Sequence, residues 1–154
     1  MDDDGPPVGL SEDEAYDPPF WAKPVLALSV LALAVTVLLM LSLGIALVAG
    51  DGNAVKAWDF WGDTDLLGAL LIASALLVSL GIGVLMMRND NSLVLLLLGV
   101  VVFEVVMLRG IVRFEGSSGP TMLLLLMLIP FLALFGLQIT EVRRWLFQSS
   151  DPQG

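Results

Sequence analysis

The chain has 154 residues, 57% of them hydrophobic, with a mean hydropathy of +0.90. Charged residues make up only 15%, against about 25% in an average soluble domain, so an ordinary water-soluble fold is excluded and the bilayer is the expected solvent. Cys and His are both absent, which excludes disulfides, zinc sites, haem ligation through either residue, a thiol nucleophile and a histidine acid–base; no metal or cofactor is expected.

The net charge of −9 sets sixteen Asp and Glu against seven cations, only two of them Lys, Lys23 and Lys56. Such a balance argues against nucleic acid or anionic lipid as a partner. In composition the chain is similar to proteins of salt-accumulating archaea, whose proteomes are acidic. Residues Met1 to Pro19, MDDDGPPVGLSEDEAYDPP, concentrate the acidity and are broken by two Pro pairs. They bury too little apolar surface to offset their chain entropy, so a disordered, solvated tail is expected over 1–19. A cleavable signal peptide is not expected, because the leading segment is long and acidic and the following apolar run is too long.

Phe20, Trp21 and Lys23 form an interfacial aromatic and cation anchor ahead of the first span, 24–49. Ser42, Ala46 and Gly50 recur every four residues and predict a small-residue stripe where another helix backbone approaches closely. The connection 51–65, DGNAVKAWDFWGDTD, predicts an amphipathic cap along the membrane surface, with Trp58, Phe60 and Trp61 at headgroup level. Its Asp spacing is not that of a calcium loop. The second span is 66–87; Ala69 and Ala73 are placed to meet the first stripe, while Ala75, Ser79 and Gly83 leave a face for another helix or a second subunit.

Arg88 to Ser92, RNDNS, is a tight polar turn that sets the third span, 92–114, antiparallel to the second. After the loop signal Gly-Ser-Ser-Gly-Pro comes the fourth span, 120–140, where Pro130 predicts a kink. Arg143, Arg144, Trp145 and Phe147 form a second anchor, and 148–154 should fray. The fold expected is thus an all-α integral membrane protein, with a membrane domain over 20–147. Its four transmembrane helices form an antiparallel up-down bundle, preceded by a disordered acidic N-terminal tail. Both termini share a side bearing Lys23, Arg88, Arg143 and Arg144; the other side bears Lys56, Arg109 and Arg113. The positive-inside rule then places the termini in the cytoplasm and the protein in the cell membrane.

The third span alone carries an interior charge, Glu104, near mid-depth. A carboxylate there is costly and should face other helices or water. Arg109 and Arg113 lie roughly 140° and 180° away around the helix, so neither pairs with Glu104; both snorkel to the interface. Thr36 in the first span, Ser74 in the second and Pro130 in the fourth lie at similar depth, and none is charged. Glu104 is therefore expected as a neutral acid donating one hydrogen bond. Its partner would be Thr36 or the carbonyl of Leu126, which Pro130 leaves without a donor.

Two functions follow from this arrangement. One is a non-enzymatic accessory or structural subunit, packed in the lipid bilayer with other membrane subunits or as a homo-oligomer. The alternative is a small proton- or cation-coupled transporter using Glu104. In span count the chain resembles drug-exporting four-helix carriers, which are shorter and carry their glutamate in the first helix. No Ser–His or Cys–His pair, phosphate-binding glycine loop or acidic metal pair supports an enzyme.

Overall fold

The computed structural model describes residues 19–59, 62–89, 91–113 and 119–147, and every regular element among them is helical. In chain order these are α1 (Ala22–Val48), α2 (Gly52–Trp58), α3 (Thr64–Met86), α4 (Ser92–Arg113), α5 (Gly119–Gln138) and α6 (Thr140–Phe147). The four expected spans coincide with α1, α3, α4 and α5 to within about two residues at each end. Among the described residues, α1, α3 and the Ser92–Arg109 part of α4 are long and apolar enough to cross a membrane, and Leu123–Gln138 of α5 is a shorter apolar stretch. Their outward faces carry large apolar side chains such as Leu38, Leu76, Val101 and Leu128. Helices apolar all round, with Leu exposed as freely as buried, are compatible with a membrane protein. Residues 1–18 of the acidic tail and the C-terminal 148–154 lie outside the described residues.

Helix α1 packs against α3 and α5, and α4 packs against the same two helices. Glycines set three of these contacts. A Cβ on Gly44 would stand 2.9 Å from the Gly68 carbonyl oxygen, and one on Gly68 would meet Leu47 and Val48. Between α3 and α4, Gly81 lies against Leu96 and Gly99 against Val78 and the carbonyl of Ser74. Gly136 of α5 receives Ser29 of α1. With no hydrophobic drive between helices in lipid, such backbone approach is what brings dispersion contacts into range.

This corrects the expected α1–α3 stripe. Ser42, Ala69 and Ala73 are exposed, and Gly50 is a helix stop. Its φ of +71° accompanies bonds from Gly50 N–H to Leu47 O and Asp51 N–H to Ala46 O, the pattern that satisfies terminal carbonyls after a left-handed residue. Arg88 performs the same turn after α3, at φ +58°, with Arg88 N–H on Leu85 O and Asn89 N–H on Val84 O.

Two aspartates start helices. Asp51 Oδ1 accepts from Asn53 and Ala54 N–H at 2.9 and 3.0 Å, and Asp63 Oδ1 accepts from Leu66 N–H at 3.0 Å. Within the segment expected as a surface cap, Gly52–Trp58 forms α2; Trp58, expected at headgroup level, is instead turned inward and buried against the apolar core. Phe60 and Trp61 fall outside the described residues. Past Pro130, which is buried and does not end α5, the chain bends at Ile139 into α6. There Val142 and Leu146 are buried while Arg143 and Arg144 are exposed.

Candidate functional site

The buried side of α4 is formed by Ser92, Leu96, Val100, Phe103, Val106 and Met107. Glu104 sits at the margin of that face and is half-buried. Its Oε1 is fully enclosed and has no hydrogen-bond partner among the described residues. Burying such an oxygen unpaired costs roughly 1–3 kcal/mol.

Neither expected tie is formed at this oxygen. Thr36 is buried, but its hydroxyl donates to Ala32 O of its own helix at 2.9 Å. Ser74 and Ser79 do likewise, to Leu70 O and Ala75 O, both at 2.8 Å. Hydroxyls that bond back to the preceding turn are satisfied locally and need no partner on another helix. Pro130 is buried in α5, with no bond seen from Glu104 Oε1 to the nearby helix. Arg109 is exposed near the end of α4, and the side chain of Arg113 falls outside the described residues. The structure therefore holds Glu104, Thr36 and Pro130 on three different helices without joining them through Oε1.

The same flank of α4 borders an open groove of about 490 Å³ shared with α5. Leu93, Val94 and Leu97 form one wall; Phe131, Leu134 and Phe135 form the other, and Gln138 and Arg143 stand at its polar end. Seven residues beyond Leu97, about 10 Å along the helix and 20° around it, the α4 stripe reaches Glu104. Chemically the region offers apolar contact, one amide, one guanidinium and one isolated carboxyl. Among the described residues no three His, Cys, Asp or Glu side chains are grouped so as to hold a metal ion.

Two features of this region were missed from sequence. Helix α6 was legible as Ile139, Val142 and Leu146 at helical spacing opposite Arg143 and Arg144, but from sequence these residues are read only as an interfacial anchor, with no helix of their own. The groove itself had no sequence signal, because its apolar lining is indistinguishable from lipid-facing residues. Compared with family models, with curated proteins and with solved structures, the chain matches none.

Proposed function

We propose that this chain is a non-enzymatic, multi-pass protein of the cell membrane, an accessory or structural subunit that packs against other transmembrane helices. In this reading α1, α3, α4 and α5 form an up-down bundle with both termini on the cytoplasmic side. The observation that carries it is the outer face of α3. Ala69, Ala73, Ser79 and Gly83 are all exposed there, and a Cβ on Gly83 meets nothing within 4 Å. Small residues facing lipid leave room for a further helix backbone to approach. Of the spare stripe expected on the second span, Ser79 and Gly83 are exposed but Ala75 is buried in the core; Ala69 and Ala73, expected to meet the first span, lie on the exposed face instead.

Thr36, Ser74 and Ser79 all donate to carbonyls of their own helices, which supports the same reading, since none of them donates to Glu104. The chain lacks Cys, so a single Ala73→Cys variant can carry a photo-crosslinker in native membranes. The reading expects capture of a partner subunit or a second copy from Ala73, and lipid alone from Leu31→Cys on the outer face of α1. Identical patterns from both positions would count against it. A second reading, a small proton- or cation-coupled transporter, rests on Glu104 Oε1, which has no hydrogen-bond partner among the described residues, because an intramembrane carboxyl is a functional candidate.

A further inference from the structure

We propose that the groove between α4 and α5 is a binding site for one anionic phospholipid, one of its two acyl chains lying along the apolar walls and its phosphate held at Arg143 and Gln138. The inference rests on membrane insertion of these helices and not on the accessory role.

The groove's volume of about 490 Å³ falls within the usual range of small-molecule sites, about 300–1,000 Å³. From Gln138 to Phe131 it runs seven residues down α5, about 10 Å, which is most of one leaflet of a hydrocarbon core about 30 Å thick. Its walls are apolar and open: Phe131 is 65% and Phe135 69% exposed. That shape suits a single acyl chain of one leaflet.

The polar end carries the specificity. Gln138 and Arg143 are both exposed, and the Arg143 guanidinium has no ion pair or hydrogen bond among the described residues. Arg88, Arg109 and Arg144, by contrast, already have interactions. A guanidinium presents paired N–H donors that match phosphate oxygens, and the Gln138 amide adds a further donor. A headgroup with its own ammonium would bring a second cation to Arg143, so an anionic headgroup is favoured. The whole chain's charge of −9 repels an anionic surface at long range; recognition here is of one headgroup at contact, inside a Debye length.

The test uses the full chain purified in mild detergent, incubated with phosphatidylglycerol or phosphatidylcholine bearing a photoreactive group on the acyl chain. Adducts are mapped by mass spectrometry. The expected result is labelling concentrated on 93–97 and 131–138, stronger for phosphatidylglycerol, with that preference falling roughly tenfold in Arg143→Gln and partly kept in Arg143→Lys. Labelling spread evenly over exposed faces, including Leu76 and Leu80 of α3, would show only annular lipid and overturn the proposal. So would equal labelling by the two lipids, unchanged by Arg143→Gln. A size and mass measurement on the same sample gives the remaining outcome: a second copy seated in the groove, protecting 93–97 and 131–138 from both lipids, overturns it as well.

Discussion

Gly44 and Gly68 bring α1 and α3 together backbone to backbone, so that a Cβ on either residue would stand 2.9 or 2.8 Å from the other's carbonyl oxygen. Neither helix can yield there, because the atom met is main chain. Gly68→Leu is therefore expected to lower stability by about 1–3 kcal/mol or more, through overpacking that forces the helices apart. Gly83→Ala, where nothing lies within 4 Å, should be neutral or slightly stabilising through helix propensity. Thermal unfolding of the two variants in the same detergent checks the contrast.

The long apolar helices were legible because length and apolarity alone define a helix that can cross a bilayer, and Asp51, Asp65, Arg88 and the Gly-Ser-Ser-Gly-Pro loop mark the ends of the apolar runs. Which face meets which helix was not legible. In soluble proteins polar residues label the outside, but here Leu33 is buried and Leu31 exposed with no chemical difference between them. Small residues are the remaining signal, and several stripes compete. Ser42, Ala46 and Gly50 have the right period, yet Gly44 and Gly68 make the contact. The isolation of Glu104 on its own helix followed from angles alone; its surroundings depended on packing that no period reveals.

Thr36 donates its hydroxyl to Ala32 O at 2.9 Å and touches no polar group of another helix through that proton. Thr36→Val keeps the shape and removes a bond internal to α1. Its cost should stay below about 1 kcal/mol, as hydroxyl bonds of this kind contribute little net stability. A loss of several kcal/mol in unfolding experiments would instead mean that Thr36 supports a neighbouring helix.

Asp51 accepts two backbone N–H bonds at the start of α2, and α2 holds Trp58 against the core. Asp51→Ala should destabilise by about 1 kcal/mol and loosen this seven-residue helix before the long helices are affected. The readout is a red shift of tryptophan emission at temperatures where circular dichroism still reports intact long helices. Asp63→Ala, which removes the cap of α3, should lower the main transition by a similar amount without that early shift.

Glu104 Oε1 is enclosed and has no hydrogen-bond partner among the described residues, and a buried oxygen left without one lowers stability. Glu104→Met, apolar and close in volume, should stabilise the purified protein by about 1–2 kcal/mol. A destabilised Glu104→Met variant would show that the carboxyl holds a partner in the native protein.

Proton or cation flux into proteoliposomes tests the central claim most directly. The account predicts that the wild-type chain and Glu104→Gln both stay at the level of empty liposomes under pH and cation gradients. Flux through the wild type that Glu104→Gln abolishes, with both proteins equally folded and inserted, would contradict it and make Glu104 a transport site.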